Sequence, residues 1–306
     1  MGRLIDGKWT VEEVNPKTKD GEYQRQVQKF RNQLAPEEVE SGRYHLYVSY
    51  ACPWAHRAII MLNLKELNSE IDISVVGPWM LEDGWEFVQN FPEVTGDKLY
   101  RLKYLRELYV KADSKFSGRV TVPILWDKKE ETIINNESSE IIRIFNSSFN
   151  HLTGNKDDYY PNELRSEIDH WNEQTYESIN NGVYKTGFAR TQEAYEKNYS
   201  ALFDQLEVIE KHLEDKDYLV GNTLTEADIR LFPTLVRFDC VYHGHFKCNK
   251  KRIKDFKNLH RYTLNIYNHP KIKPTLFFDH IKTHYYGSHE TLNPSRIVPL
   301  GPSPLV

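Results

Sequence analysis

The sequence feature that most constrains the fold is the stretch SYACPWAHR at residues 49–57. An extended pattern over residues 43–48 precedes it, and an apolar helical pattern over 58–64 follows it. Proline is favoured at the first position of a helix because its missing N–H would have no partner there anyway. The stretch therefore predicts that a strand ends, the chain turns, and a helix begins at Pro53 with Cys52 as its N-cap.

This placement predicts a reactive thiol. The free N–H groups and the dipole of a helix N-terminus stabilise an anion, so we expect a lowered pKa and a nucleophilic thiolate at Cys52. The alternative is a small apolar residue that caps a buried helix. Position 55 holds Ala, and Cys240 and Cys248 lie far along the chain. Cys52 thus has no local partner, and an outside thiol would resolve any mixed disulfide that it forms.

Length and charge narrow the class of protein. A chain of 306 residues is long enough for two domains. A net charge of −4 gives no electrostatic reason to expect binding to nucleic acid or to an anionic membrane. No apolar run approaches the ~20 residues that a membrane span needs. Three cysteines do not make a disulfide framework, so we expect a reducing, cytoplasmic compartment.

The first half of the chain alternates between strand and helix patterns. Residues 44–49 and 71–76 are predicted strands, and 53–68 is a predicted helix between them, which favours a parallel pair with a crossover connection. Residues 1–40 are predicted to be an irregular arm that lies over the body of the protein, with disorder as the alternative. Residues 77–118 are a long insertion, which is uncommon in a small α/β domain unless it is functional.

Two further motifs follow the insertion. Residues 122–126 and 132–135 are predicted to form a hairpin, and a cis Val122–Pro123 bond would explain the proline, with a trans bond at an edge strand as the alternative. Polar residues then precede an apolar helical run, which predicts a helix N-terminus at Glu137 that could bind a carboxylate. Glu137 itself could pair with an ammonium group or could be a plain N-cap.

The second half has helical patterns without strands. The predicted helices are 162–180, 191–214, 225–242, 253–268 and 272–283. Residues 182–187 are expected to interrupt the first two. Thr225 and Asp228 predict a capping box. The tail from residue 284 is expected to be irregular and either to close over a cleft or to pack on the surface.

One set of metal-ligand residue types occurs in this half. Cys240, His243, His245 and Cys248 could be read as zinc ligands. Zinc sites usually bring their ligands in separated pairs, whereas these residues straddle a helix end and a turn, so we expect no metal.

Taken together, these motifs resemble a known family. The order of Cys-Pro at a helix start, a Val-Pro strand, Glu-Ser at the next helix and an all-helical second half resembles the glutathione transferases. More narrowly, SYACPWAHR, the stretch GRVTVP at residues 118–123, NESSEI at residues 136–141 and the tail motif HYYGSH at residues 284–289 resemble the xi class, the S-glutathionyl-hydroquinone reductases. The resemblance covers the chain from about residue 1 to its C-terminus.

The resemblance implies an α/β thioredoxin-like N-terminal domain followed by an all-α domain. The implied divisions are an arm at 1–40, a glutathione-binding domain at 41–150 that contains the insertion 77–118, a helical domain at 151–283, and a tail over the cleft at 284–306. The family members are homodimers joined through the helical domain, which implies the same assembly here.

The resemblance also implies a reaction, in which a glutathionyl-hydroquinone and glutathione, as co-substrate, give the hydroquinone and glutathione disulfide. The catalytic residue that it implies is Cys52, attacking the glutathionyl sulfur. The implied glutathione contacts are Trp79, Arg106, Val122, Pro123, Glu137 and Ser138. The implied hydroquinone pocket consists of Tyr184, Tyr285 and Tyr286. The alternatives are a general glutathione thiol transferase or dehydroascorbate reductase, which would use the same Cys52, and a binding protein without catalytic activity.

Overall fold

The strand, turn and helix predicted around Cys52 open a four-stranded mixed sheet. A computed structural model of the protein describes residues 2–11, 20–88 and 90–302. The chain divides into two units. The first contains residues 2–11, 26–88, 90–157 and 275–288, and the second contains residues 20–25, 158–274 and 289–302. The domain boundaries at 40, 150 and 283 stay predictions.

The first unit contains the strands and the first helices. Its strands are β1 (Gly2–Ile5), β2 (Lys8–Val11), β3 (Tyr44–Val48), β4 (Asp72–Val75), β5 (Met80–Leu81), β6 (Gly84–Trp85), β7 (Ile124–Asp127) and β8 (Thr132–Asn135). Its helices in the N-terminal half of the chain are α1 (Pro53–Leu64), α2 (Leu105–Ala112), α3 (Ser138–Ser147) and α4 (Asn150–Thr153).

The central sheet has the strand order β4-β3-β7-β8. β3 pairs in parallel with β4 across the α1 crossover, while β7 is antiparallel to both β3 and β8. All five residues of β3 are buried, as expected for a central strand that is covered on both faces. This βαβ unit followed by a β-hairpin and a helix is a thioredoxin-like fold.

The arm is not irregular throughout, which corrects the prediction for its first residues. Residues 2–11 form the antiparallel hairpin of β1 and β2, and Leu4 exchanges backbone hydrogen bonds with Gly118. The two strands are joined by Asp6 and Gly7, whose φ values of 47° and 73° fit a tight hairpin turn, so a local signal was present in the sequence, whereas the contact with Gly118 depends on a distant segment. Asn32 N–H donates to the Ile134 carbonyl and thereby extends the edge of β8. Residues 12–19 of the predicted arm lie outside the described residues.

The insertion has secondary structure of its own. It holds the short hairpin of β5 and β6 and the helix α2, whose N-cap Tyr104 donates its backbone N–H to Glu107. Asp97 organises the turn between them, because its carboxylate accepts from three backbone N–H groups of residues 99–102 and from the Tyr47 hydroxyl.

The second unit is helical in the part that the structure describes. Its helices are α5 (Arg165–Thr175), α6 (Gly182–Gly187), α7 (Gln192–His212), α8 (Glu226–Arg237), α9 (His243–His245) and α10 (Lys257–Tyr267). The π-helical segments Tyr176–Asn180 and Phe238–Tyr242 continue α5 and α8. The predicted capping side chain is present, since Asp228 accepts from the backbone N–H and the hydroxyl of Thr225.

Two predictions for helical segments are wrong. Residues 182–187 form α6 instead of an interruption: Gly187 has to be glycine in this helix because a Cβ there would lie 2.3 Å from the ring of Phe246. The predicted helix near 272–283 instead begins at Phe278 and runs to Ser288 as α11 (Phe278–Ser288), so the start of the tail is helical. No helix of the described chain is both long and apolar enough to cross a bilayer.

Candidate active site

Cys52 caps α1, as predicted. Its backbone is extended (φ −75°, ψ 123°), and its carbonyl accepts the first helical hydrogen bond from His56 N–H at 3.0 Å. Cys52 N–H donates to the Ser49 carbonyl at 3.1 Å, which closes the turn that leaves β3. The side chain is 9% exposed, and in its thiol form Sγ–H donates to the Val122 carbonyl at 3.6 Å. The fold thus places the sulfur between the N-terminus of a helix and a backbone carbonyl.

The Val122–Pro123 bond is cis, which confirms the prediction. Val122 and Pro123 are both buried and immediately precede β7, which pairs with the strand leading to Cys52. Because β3 and β7 are antiparallel neighbours, the end of β3 and the start of β7 meet at one edge of the sheet. This pairing explains why two motifs about seventy residues apart in sequence are in contact.

The third predicted element, the start of α3, has its own capping arrangement. Glu137 is the N-cap residue, and its carboxylate accepts from Ser139 N–H at 3.0 Å and from the Ser139 hydroxyl at 2.9 Å. Asn135 Oδ1 accepts from Glu137 N–H at 2.7 Å. Ser138 is 3% exposed at the first position of the helix. The structure therefore shows the capping role of Glu137, and a role in binding an ammonium group stays a prediction.

Arg57 connects the two helix N-termini, and the sequence analysis missed it. The side chain is 2% exposed on α1, its guanidinium lies 4.6 Å from the ring of Trp54, and Nη1 donates to the Ser138 hydroxyl at 3.5 Å. It brings a positive charge to the start of α3. The available signal was the position of an arginine five residues after Cys52, on the helix that the motif itself predicts.

Tyr109, on α2, is a second residue that the sequence analysis did not assign. It is fully buried, and its hydroxyl donates to the Thr121 carbonyl at 3.0 Å and accepts from Asn136 Nδ2 at 3.0 Å. It therefore contacts both the loop before Val122 and the residue before Glu137. Nothing in its local sequence distinguishes it from other tyrosines of the insertion.

Trp79 lies close to the tail helix within the first unit. A Cβ added at Gly287 of α11 would lie 3.2 Å from the Trp79 indole, so the helix passes directly over that ring. Met80 N–H donates to the Ser288 hydroxyl at 2.9 Å, and a ring N–H of His284 can donate to the Pro78 carbonyl at 2.9 Å. A side chain at position 287 would therefore displace the Trp79 ring by a few tenths of an ångström.

The predicted pocket tyrosines differ in their surroundings. Tyr285 is 1% exposed and packs edge-on against His284, whereas Tyr286 is half-buried on the same helix. Tyr184 belongs to the second unit, where the Arg25 guanidinium lies 5.0 Å from its ring and the Phe246 ring lies 5.5 Å away. Their contacts with a hydroquinone stay predictions.

Arg106 has a set of contacts within the insertion and the N-terminal hairpin. Its guanidinium pairs with the Asp83 carboxylate at 3.0 Å, hydrogen-bonds the Asp83 carbonyl, and stacks on the Tyr104 ring at 3.9 Å and the Trp9 ring at 5.0 Å. These contacts fasten β5 and β6 to the start of the chain. A contact of Arg106 with glutathione stays a prediction.

The other two cysteines lie in the helical unit and are buried. Burial raises the pKa of the Cys248 thiol well above its ordinary value. Cys240 Sγ–H donates to the Arg237 carbonyl at 3.6 Å. Within residues 2–11, 20–88 and 90–302, no group of three or more metal-ligand side chains is close enough to hold an ion.

Comparison with known proteins agrees with this architecture. The N-terminal domain model of glutathione S-transferase matches residues 51–148, and the C-terminal domain model matches residues 192–263. The chain is 51% identical to the glutathionyl-hydroquinone reductase PcpF of Sphingobium chlorophenolicum, over 99% of this chain and 97% of that protein. It is 50% identical to the glutathionyl-hydroquinone reductase YqjG of Escherichia coli, over 99% and 95%.

Solved structures lead to the same family. The glutathione-bound structure of YqjG from Escherichia coli superposes with a TM-score of 0.91 at 49% identity, covering 99% of this chain and 96% of that one. The Xi class enzyme of Natrialba magadii superposes with a TM-score of 0.94 at 45% identity, covering 99% and 94%. The fold and the cysteine at the start of α1 thus define a glutathione transferase. Among the glutathione transferases, the chain belongs to the xi class, which is the glutathionyl-hydroquinone reductase family.

Proposed function

We propose that this protein reduces S-glutathionyl-hydroquinones to hydroquinones with glutathione as co-substrate, and releases glutathione disulfide. The observation that carries the proposal is the position of Cys52 at the N-terminus of α1, beside the Val122 carbonyl, in a chain about half identical to two proteins named for this activity. Position 55 holds alanine, so this helix start has no Cys-x-x-Cys pair, and in the proposed reaction the reducing equivalents come from an outside thiol.

The proposed reaction has two steps, a cleavage of the thioether and a thiol–disulfide exchange. In the first, the Cys52 thiolate attacks the glutathionyl sulfur, and the bond between that sulfur and the aromatic carbon breaks. The electron pair of that bond stays on the ring carbon, which takes up a proton. The ring carbon is thereby reduced, the free hydroquinone leaves, and the two sulfurs are oxidised to a Cys52–glutathione disulfide. In the second, a glutathione thiolate attacks that disulfide, releases glutathione disulfide and regenerates the Cys52 thiolate. The proton lost by the incoming thiol balances the one gained by the ring carbon.

The three loops at the edge of the sheet support a binding site for glutathione. In the proposed site, the Val122 backbone pairs with the cysteinyl unit beside the cis Pro123. The N-terminus of α3, with Ser138, receives the γ-glutamyl carboxylate, and Glu137 receives its ammonium group. The buried charge of Arg57, next to Ser138, favours an anion at that helix start.

The remaining residues are proposed to complete the two binding regions. Trp79 and Arg106 are proposed as further glutathione contacts. Tyr184, Tyr285 and Tyr286 are proposed as the aromatic wall around the hydroquinone, since aromatic rings offer a flat apolar surface with a polar tip. We also propose that the protein is a cytoplasmic homodimer that associates through its helical unit.

The test is replacement of Cys52 and a comparison of substrates. Cys52→Ala and Cys52→Ser should abolish reduction of a glutathionyl-hydroquinone, because the thiol is the nucleophile. Cys248→Ala is the matched control, since it removes a buried thiol of the other unit and should keep the activity. The native enzyme should show ping-pong kinetics, and mass spectrometry should find glutathione on Cys52 after treatment with glutathione disulfide.

The substrate comparison separates the alternatives. A native enzyme that reduces a simple mixed disulfide or dehydroascorbate much faster than a glutathionyl-hydroquinone would be a general thiol transferase or a dehydroascorbate reductase. Activity of Cys52→Ala near the native rate would mean that bound glutathione attacks the substrate directly.

A further inference from the structure

The hydroxyl of Tyr109 lies between two loops of the proposed glutathione site. It is within hydrogen-bond distance of the Thr121 carbonyl (3.0 Å) and N–H (3.2 Å) on one side, and of Asn136 Nδ2 (3.0 Å) on the other. Thr121 is followed by Val122, and Asn136 is followed by Glu137. The side chain that contacts both loops comes from neither of them, because Tyr109 belongs to α2 in the insertion.

A phenol has one donor and two acceptor sites, and the Tyr109 hydroxyl also lies 3.2 Å from Thr121 Oγ1, so these sites are fully used. The hydroxyl donates to the Thr121 carbonyl and accepts from the Thr121 N–H and from Asn136 Nδ2. Burial raises the pKa of Tyr109, so the hydroxyl keeps the proton that it donates. Loss of the hydroxyl would therefore remove a partner of the buried Asn136 amide and of the part-buried backbone groups of Thr121.

The ring and the hydroxyl of Tyr109 have separable roles. The ring packs against Phe116 with its centroid 4.9 Å away and against Phe30 at 6.0 Å, and both contacts would persist with phenylalanine. The hydroxyl is the part of the side chain that hydrogen-bonds to both loops. A backbone hydrogen bond between Asn136 N–H and the Phe30 carbonyl holds Asn136 from its other side. The second loop is thus held at a fixed place, against which the hydroxyl can position the first.

We propose that Tyr109 is a positioning residue for glutathione: its hydroxyl sets the spacing between the Val122 backbone and the N-terminus of α3. The inference rests on the proposed function, because it takes Val122, Glu137 and Ser138 as the contacts of the bound tripeptide. It gives the insertion a role in binding, since α2 supplies the link between two loops of the thioredoxin-like sheet.

The test is Tyr109→Phe in the full-length enzyme. Both substrates carry a glutathionyl group, so the KM values for glutathione and for the glutathionyl-hydroquinone should rise together, by about fivefold or more. The value of kcat at saturation should stay within about twofold of the native one, because Cys52 remains the N-cap of α1 and a saturating concentration of substrate offsets the weaker binding.

Tyr262→Phe is the matched control. Tyr262 is also fully buried with a bonded hydroxyl, which donates to Asp228 at 2.9 Å in the helical unit. This variant should lower stability and leave both KM values unchanged. If Tyr109→Phe lowers stability and also leaves both KM values unchanged, the hydroxyl is only structural and the proposal is wrong. A fall in kcat with unchanged KM values would overturn it too.

Asn136→Ala provides a second variant in case Tyr109→Phe does not fold. It removes the same link from the other side, together with the hydrogen bond that Phe30 N–H donates to Asn136 Oδ1 at 3.3 Å, so its effect on the KM values should have the same direction. The double variant should bind little worse than either single variant, because each one already breaks the shared bond. Fully additive effects would contradict the link. Failure of the proposed function would show differently, as loss of reductase activity in the native enzyme itself.

Discussion

At the scale of single residues, the three cysteines show how position decides chemistry. Cys52 lies at the start of a helix with its sulfur beside a backbone carbonyl, while Cys240 and Cys248 are 1% and 0% exposed within the helical unit. Burial in apolar surroundings disfavours the thiolate, whereas a helix N-terminus favours it. Cysteine is therefore a candidate nucleophile at position 52 and a buried residue of the core at positions 240 and 248.

His45 is a buried residue whose charge state should affect stability. It is fully buried in β3 beside Ser74, and burial lowers its pKa to about 4. The unfolded chain, with a histidine pKa near 6.5, binds more protons than the folded one between these two values. The stability contributed by neutral His45 is therefore complete above about pH 6.5 and is lost as the pH falls towards 4.

His45→Gln should reduce this pH dependence. Between pH 6 and pH 4.5, the free energy of unfolding should fall less steeply than in the native protein, by about 1 kcal/mol per pH unit, because one titrating group is removed. Denaturant unfolding at several pH values measures the slope. His151→Gln, at an exposed position of α4, is the control and should leave the slope unchanged. Equal slopes in His45→Gln and the native protein would contradict the prediction.

At the scale of elements, the start of α3 combines a folding role with a proposed binding role. Glu137 caps the helix through Ser139, and it is also the proposed partner of the glutathione ammonium group. The two roles differ in their need for charge. Asparagine is among the preferred N-cap residues but carries no charge, so it can satisfy the first role and not the second.

Two substitutions of Glu137 should therefore separate the roles. Glu137→Asn and Glu137→Ala should both weaken glutathione binding, by roughly 1.5–3 kcal/mol if the contact is a charged hydrogen bond. Only Glu137→Ala should also cost about 1 kcal/mol of stability, through loss of the cap. Calorimetry and denaturant unfolding measure the two quantities.

Thr191→Ala removes a side-chain cap elsewhere and serves as the control. Its hydroxyl accepts from Ala194 N–H at the start of α7, so this variant should lose stability without losing affinity for glutathione. If both Glu137 variants bind glutathione as the native protein does, Glu137 is a cap and nothing more.

At the scale of the whole molecule, we predict a homodimer. Light scattering coupled to size-exclusion chromatography at micromolar concentration should give twice the mass of one chain. Dilution of a dimer held by an obligate interface should change this mass little, because such interfaces are large and apolar. A mass equal to that of a single chain at every concentration would rule the proposed assembly out.

The sequence by itself determined the local elements around the proposed chemistry. Pro53 at a first helical position, the capping pair Thr225 and Asp228, and the alternating strands and helices each act through neighbours within a few residues. Short-range backbone preferences are strong for such signals, so the Cys52 helix, the central strands and the helical second half could be predicted. The thioredoxin-like fold and the family also followed from motifs in sequence order.

Tertiary structure alone decided which distant residues meet. The hairpin of residues 2–11 pairs with Gly118, α11 extends to Ser288 where it passes over Trp79, and α6 forms where glycine allows Phe246 to approach. Long-range contacts of this kind depend on where other elements pack, and no local pattern encodes them. For the same reason Tyr109 gave no signal in the sequence: its importance lies in the two loops that the fold brings to its hydroxyl.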